Sequence, residues 1–363
     1  MQRSLLLVKN SIGDKTWKLY QHHLNKFLEF CKIRDYDSLL IIPHTQLQIR
    51  LEDYVIYLKK KLSPNTIPIA FAAIKAFFEM NNIVDLNFNK IRRMYPDQVK
   101  KTGNKSWSRE QIQEMLRYAM KKRARALVLF LASTGCRIGV VEELKMKHIE
   151  NMAENCKSVL FYEGTKEEYF GFLTPEASKA LDEYLEERRK DREHLDLESP
   201  VFREGYKLGM VKAKPITKQM AQMLIAKCVK RAKIERKKSG KRYDIQIAHG
   251  FRKYFNTVLK SHPTFNYNIA EKLMGHKNGL DGVYFTVTNE QLFAEFKKAI
   301  SDLTIDDSER KDIKIKKLVE EKSDLEKKMP SLVDEAIHRV MDKLRNEGCV
   351  VDPQKMQIKN SKN

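Results

Sequence analysis

Apolar residues recur every three or four positions along the first hundred residues, which is the spacing of helices with one buried face. Three such stripes are present: Trp17, Tyr20, Leu24, Phe27 and Phe30; Leu47, Leu51, Val55 and Leu58; Ile67, Phe71, Ile74 and Phe78. Ser63 followed by Pro64 predicts the cap and first turn of the third helix. We therefore expect a helical domain over residues 1–95.

A different pattern follows residues 96–107, which have few apolar side chains, contain Gly103 and are expected to form a basic linker. Residues 158–162 and 168–173 are rich in Val, Tyr and Phe and flank a short polar turn, which predicts a β-hairpin. Helical patterns surround this hairpin from residue 108 to residue 300. The expected fold is mainly α with a small β-hairpin or sheet, in two domains.

The last segment, residues 301–363, is rich in Lys and Glu. Leu318, Leu325 and Leu332 stand seven residues apart, which is the spacing of a coiled coil. Pro330 interrupts this pattern, so we expect a helical hairpin or a short self-association helix. Whether the segment serves assembly or is a solvated appendage stays open.

The chain carries 69 Lys and Arg against 48 Asp and Glu, a formal charge of +21. Such an excess favours a polyanion as partner, most often nucleic acid, over a charge that merely aids solubility. The basic residues cluster, as a phosphate-binding face requires. The candidates for DNA contact are Lys100, Lys101, Lys105, Lys237, Lys238, Lys241 and Arg242.

Other classes of function find little support in the sequence. No apolar stretch approaches the roughly 20 residues that cross a bilayer, which favours a cytoplasmic protein without membrane partners. The five cysteines are scattered. The histidines other than His249 and His276 lack ligand spacing with Cys or carboxylates, so no metal site is expected. No GxxxxGK[ST] motif indicates NTP hydrolysis. We therefore expect neither a cofactor nor a small-molecule substrate.

Four short segments hold residues suited to phosphoryl transfer. They are Thr134-Gly-Cys-Arg137, the hairpin turn with Lys166, His249-Gly-Phe-Arg252, and Met274-Gly-His276 followed by Tyr284. Each motif is weak when taken alone. Their order along the chain is far more specific than any one of them.

This order resembles the tyrosine recombinase (phage integrase) family over residues 105–300. The continuation Arg137-Ile-Gly and the hairpin turn Gly164-Thr-Lys-Glu-Glu-Tyr169 look most like archaeal members. The resemblance implies a DNA clamp with a helical core-binding domain before the catalytic domain. It also implies site-specific recombination of a mobile element, with double-stranded DNA attachment sites and a homotetramer on DNA. No metal or cofactor is implied.

The resemblance implies a role for each residue of the four segments. Tyr284 would attack a backbone phosphorus and form a 3′-phosphotyrosine, so that ligation needs no ATP. Arg137, Arg252 and His276 would contact the non-bridging oxygens, where negative charge develops. His249 would exchange a proton with the tyrosine, and Lys166 would protonate the departing 5′-oxygen.

Two departures from the family pattern concern details of this site. Val140 occupies the position of an acidic residue, with Glu142 and Glu143 close behind, and the spacing from His276 to Tyr284 is one residue shorter than usual. Lys157 is a rival for the role of Lys166. Two other functions remain open: a type IB topoisomerase, and a non-enzymatic DNA-binding protein on a decayed recombinase scaffold.

Overall fold

A computed structural model describes residues 2–98, 103, 105–206, 209–210, 212–239, 242–276 and 286–346. The chain divides into two compact units, residues 1–101 and 102–363. Each unit has its own hydrophobic core. Within the described part of the chain, no helix is both long enough and apolar enough to span a membrane.

Unit 1 is helical, and its core is built from the three predicted stripes. Its helices are α1 (Arg3–Ser11), α2 (Asp14–Cys31), α3 (Asp37–Leu40), α4 (His44–Lys61), α5 (Ile67–Met80) and α6 (Phe88–Arg93). Phe27, Tyr54 and Phe71 are fully buried, and the ring of Tyr54 contacts the rings of both phenylalanines. The helical prediction for this region is therefore confirmed.

The predicted start of the third helix is wrong by three residues. The helix α5 begins at Ile67, and Pro68 rather than Pro64 lies in its first turn. The backbone N–H of Thr66 donates to the carbonyl of Ser63 at 2.8 Å, so Ser63 opens a tight turn instead of capping the helix. The reason is packing: the apolar face starts with the fully buried Ile67.

Unit 2 places its helices around a small antiparallel sheet. The helices are α7 (Arg109–Arg117), α8 (Lys122–Thr134), α9 (Pro175–Lys190), α10 (Lys218–Arg231), α11 (His249–Ser261), α12 (Tyr267–Leu273), α13 (Asn289–Leu303) and α14 (Asp307–Asn346). The strands are β1 (Ile149–Asn151), β2 (Lys157–Phe161), β3 (Tyr169–Leu173), β4 (Lys238–Ser239) and β5 (Arg242–Tyr243).

The predicted hairpin is confirmed as β2 and β3, with Phe161 paired to Tyr169 next to the turn. The sequence missed β1, which adds a third antiparallel strand beside β2. It has only three residues and one neighbouring strand, so its own pattern carries almost no signal.

Part of the expected linker belongs to unit 2. The backbone N–H of Lys105 donates to the carbonyl of Asp244 at 3.1 Å. Trp107 is fully buried, and its indole N–H donates to the carbonyl of Ile247 at 2.9 Å. A lone tryptophan in a polar stretch gives no periodicity, so its burial could not be predicted from the pattern.

Of the two alternatives predicted for the C-terminal segment, the helical hairpin is wrong. The helix α14 continues through Pro330, which lies inside it. A proline removes one backbone hydrogen bond at a cost of about 3 kcal/mol, but it does not force the chain to reverse.

At the start of α14, the buried carboxylate of Glu176 accepts from the backbone N–H of Ile305 at 2.7 Å and of Asp306 at 3.3 Å. Burial raises the pKa of Glu176 to about 7.

Candidate functional site

Arg252 joins three segments that are far apart in the sequence. It lies one turn after His249 on α11, and its side chain is 5% exposed. Its Nη1 donates to the carbonyl of Gly135 at 2.9 Å, and its Nη2 donates to the carbonyl of Met274 at 2.5 Å. Burial lowers the pKa of Arg252, yet a guanidinium remains charged inside a protein. The structure therefore holds one fixed positive charge between the segments that contain Gly135, His249 and Met274.

His276 lies directly beside this guanidinium. Its Nε2 is 2.8 Å from Nη2 of Arg252, and its Nδ1 is 2.6 Å from Oε2 of Glu271. A carboxylate can only accept, so Nδ1 carries the proton and Nε2 of a neutral ring accepts from Arg252. The orientation of the ring is thus set on both sides.

Glu271 is a candidate functional residue that the sequence analysis missed. Burial would raise its pKa, but hydrogen bonds from Lys260 and His276 outweigh that effect and lower the pKa of Glu271. Lys260 forms an ion pair with the same carboxylate and also donates to the hydroxyl of Tyr267 at 2.8 Å. The sequence spacing gave part of the signal for this contact. Glu271 stands five residues before His276, and the turn at the end of α12 brings the two side chains together.

Two glycines allow these close approaches. Gly135 ends α8 with φ +57°, and Gly275 ends α12 with φ +60°, a left-handed conformation that side chains disfavour. A Cβ at Gly135 would lie 2.5 Å from the ring of Phe255, and one at Gly275 would lie 2.6 Å from the ring of Tyr169. Both turns therefore need glycine to bring Arg137 and His276 to the site.

Arg137 follows the left-handed turn at Gly135 and is partly exposed. Its Nη1 lies 3.8 Å from Oε2 of Glu167, which is in the turn between β2 and β3. Lys166 is the preceding residue in that turn and is exposed. The turn that carries Lys166 thus reaches Arg137. Lys157 lies at the other end of β2, where its Nζ donates to Asn151 at 2.7 Å and lies 3.2 Å from Asp182.

His249 stands at the first position of α11 and lines the same cavity as Arg137 and Arg252. Partial desolvation at the cavity wall, together with the charges of Lys253 and Arg252, lowers the pKa of His249 below the usual 6.5. The neutral imidazole is therefore favoured at neutral pH. A neutral ring can accept a proton, as a general base must.

The cavity that these residues line has a volume of about 480 Å³. Further cations on its wall are Lys218, Arg236 and Arg242, and no described residue of the wall is acidic. The guanidinium of Arg236 stacks on the ring of Tyr243, with 4.1 Å from Cζ to the ring centre. The sequence analysis selected Arg242 but missed Lys218 and Arg236, which lie outside any motif. The cavity is suited to a polyanion.

Of the other selected basic residues, Lys105, Lys237 and Lys238 lie at β4 and β5 or next to them. Lys238 pairs with Tyr243 across the two strands, and the backbone carbonyl of Lys237 accepts from the backbone N–H of Asp244. Lys105 forms an ion pair with Asp244 at 3.3 Å. Lys100, Lys101, Lys241 and the proposed nucleophile Tyr284 lie outside the described residues.

The position of the family's acidic residue is held by Val140, which is buried. The carboxylate of Glu142 accepts from the backbone N–H of Lys218 at the start of α10.

In the described part of the chain, no group of three or more His, Cys, Asp or Glu could hold a metal ion.

Residues 105–286 match the sequence pattern of the Phage integrase family. No curated protein matches the chain significantly. Among solved structures, the chain is similar to the Tn1549 transposon integrase in complex with transposon right end DNA. The TM-score is 0.51 and the identity 14%, over 82% of this chain and 99% of that one.

Two further solved structures are similar. One is the XerH site-specific recombinase bound to difH substrate, with a TM-score of 0.50 and 19% identity over 78% of each chain. The other is a lambda integrase dimer bound to a COC′ core site, with a TM-score of 0.50 and 13% identity over 76% of this chain and 92% of that one. At these identities the similarity concerns the fold.

Proposed function

This chain belongs to the phage integrase family and is a tyrosine-type site-specific recombinase; from that premise we propose that it cleaves and rejoins DNA through a 3′-phosphotyrosine intermediate. Its role would be the integration and excision of a mobile element, such as a virus or plasmid, in the cytoplasm. Its partners would be DNA attachment sites, on which it would act as a homotetramer.

The observation that carries the proposal is the convergence of Arg137, His249, Arg252 and His276 on one region of unit 2. A pentavalent phosphoryl transition state spreads negative charge over its non-bridging oxygens, so positioned positive charge is the main requirement. Arg252 is already oriented by two carbonyls. The ion pair of Arg137 with Glu167 is 3.8 Å long and exposed on both sides, so it is weak and can be exchanged for phosphate.

In the proposed reaction one bond to phosphorus forms, another breaks, and two protons are transferred. The oxygen of Tyr284 bonds to phosphorus while the bond to the 5′-oxygen breaks. His249 takes the tyrosine proton, and Lys166 gives a proton to the departing oxygen. Religation reverses these steps with a 5′-hydroxyl from the other duplex. The ester conserves the bond energy, so no nucleotide is needed.

The test of the proposed function is strand exchange between two duplexes that carry the attachment site. We expect recombinant products without added metal or ATP. Relaxation of a plasmid that lacks the site, without any recombinant, would instead identify a topoisomerase. Failure to form any covalent adduct would favour a DNA-binding protein without catalytic activity.

DNA binding should depend steeply on salt, because each bound phosphate releases counterions. Replacing Lys237, Lys238, Lys241 and Arg242 together by Gln should lower the affinity. The slope of log K against log salt should become shallower by about one unit for each phosphate that the variant no longer neutralises. The same four-charge change at Lys316, Lys327, Arg339 and Lys343 of α14 is the matched control. Equal slopes in the two variants would exclude the β4–β5 region from the DNA interface.

Glu271→Gln should slow cleavage by roughly tenfold or more, which is less than the ~10²–10³ for a direct transition-state contact. The reason is that an amide oxygen accepts the Nδ1–H of His276 more weakly than a carboxylate does, so the ring is held less firmly beside Arg252. Binding of DNA should not change. Single-turnover cleavage under saturating protein measures the effect.

A double-mutant cycle separates positioning from a general loss of structure. In the His276→Ala background, Glu271→Gln should have no further effect on the cleavage rate. Glu295→Gln is the control, since Glu295 is a structural carboxylate that accepts from the backbone N–H of Asn266 at 2.6 Å. Additive losses in the double variant would show that Glu271 does not act through His276.

A further inference from the structure

The second half of α14 has no packing partner within the described chain. From Leu318 to Lys343, every side chain is exposed except Ser323 and Met341, which are half-buried. Most helical stability in proteins comes from tertiary packing of an apolar face, and β-branched residues such as Val333 and Ile337 add little intrinsic propensity. This segment, about 39 Å long at 1.5 Å per residue, therefore lacks the contacts that ordinarily stabilise a helix.

The exposed apolar residues lie on one stripe with coiled-coil spacing. Ile315, Leu318, Leu325, Met329 and Leu332 occupy a and d positions, and each is between 55% and 63% exposed. After Leu332 the spacing of the apolar residues shifts by one residue, which rotates the stripe by about 100° around the helix. Exposed residues of the continuation are Val333, Ile337 and Val340. An apolar stripe this long on an exposed helix indicates a protein-binding surface.

One seam position is polar. Lys322 occupies an a position, and its Nζ lies 3.7 Å from Oε1 of Glu326 on the next turn. A single lysine at an a position costs stability but specifies the register and number of helices in a coiled coil. This feature is expected in a helix that pairs with one defined partner.

The charge of this segment argues against DNA as that partner. Residues 318–343 contain five Lys or Arg and seven Asp or Glu, so 5 − 7 = −2, in a chain of net charge +21. Phosphates would be repelled by such a surface. The pattern instead favours a partner with both apolar and complementary charged positions.

We propose that the α14 seam pairs with α14 of a second copy of this chain, in antiparallel orientation. This arrangement stacks Ile315 on Leu332 and Leu318 on Met329 of the second copy. It also brings Glu321 next to Lys328 of the second copy, whereas a parallel pair would oppose Glu321 and Glu326.

This pairing is independent of DNA and of the proposed recombination. Light scattering of the full chain without DNA, at micromolar concentration, should report a dimer. Leu325→Glu with Leu332→Glu should give a monomer, because two charges enter the seam. Ser323→Glu with Ser331→Glu adds the same charge outside the seam and should remain a dimer. Circular dichroism shows whether each variant is folded.

Three outcomes would overturn the proposal: a monomeric wild type, a dimeric seam variant, or a folded control that is monomeric. The orientation has its own test. Glu321→Lys should weaken the dimer, and adding Lys328→Glu should restore it by exchanging the two charges. A stronger dimer from Glu321→Lys alone would indicate a parallel pair and refute the antiparallel arrangement.

The monomeric seam variant should still form a covalent adduct on a DNA half-site, since no residue of the seam lies at the proposed catalytic site. This result separates the two proposals. A dimeric wild type that forms no adduct would contradict the recombination chemistry alone. A monomeric wild type that forms the adduct would contradict the pairing alone.

Discussion

Tyr284→Phe should abolish the covalent protein–DNA adduct while DNA binding stays intact. The change removes only the hydroxyl oxygen that would bond to phosphorus, and no other residue of the proposed site has the role of nucleophile. An unperturbed tyrosine has a pKa near 10, so it needs the neutral imidazole of His249 to accept its proton. Denaturing gels with end-labelled DNA should show a 3′-linked adduct for the wild type only.

Tyr243→Phe is the matched control, because Tyr243 is the described tyrosine on the wall of the cavity beside Arg252. Phenylalanine keeps the ring on which Arg236 stacks. This variant should still form the adduct. If Tyr243→Phe loses the adduct and Tyr284→Phe retains it, the assignment from the order of the motifs is wrong.

Lys166→Ala should cleave ordinary DNA about 10²–10⁴ more slowly, the usual range for loss of a general acid. A 5′-alkoxide is a poor leaving group and gains greatly from a proton delivered as the bond breaks. A substrate with sulfur at the 5′-bridging position leaves as a thiolate of low pKa and needs no acid. On that substrate, Lys166→Ala should approach the rate of the wild type.

Three variants serve as controls for this sulfur rescue. Lys157→Ala should cleave both substrates normally, since Asn151 and Asp182 hold Lys157 at the far end of β2. Arg137→Ala and Arg252→Ala should stay impaired on both substrates, because their charge acts on the non-bridging oxygens. If sulfur does not rescue Lys166→Ala, the lysine binds phosphate or orders the turn, and the acid lies elsewhere.

The sequence by itself determined the features that depend on short-range pattern. The buried faces of α2, α4 and α5 follow from apolar residues at helical spacing, and the hairpin of β2 and β3 from two apolar runs around a polar turn. The start of α9 follows from a cap at Thr174, whose side chain accepts from the backbone of Ala177 at 3.3 Å. Each of these patterns involves residues that are close in the sequence, so it can be recognised without knowledge of the rest of the chain.

The tertiary structure decided which distant residues meet. The hydrogen bonds of Arg252 to the carbonyls of Gly135 and Met274 join segments that are distant in sequence, and no local pattern encodes them. The same holds for the choice of Ile67 over Ser63 as a helix boundary, for the burial of Trp107 and for the carboxylate of Glu271 beside His276. Each depends on the volume and polarity of what packs around it, which only the folded chain defines.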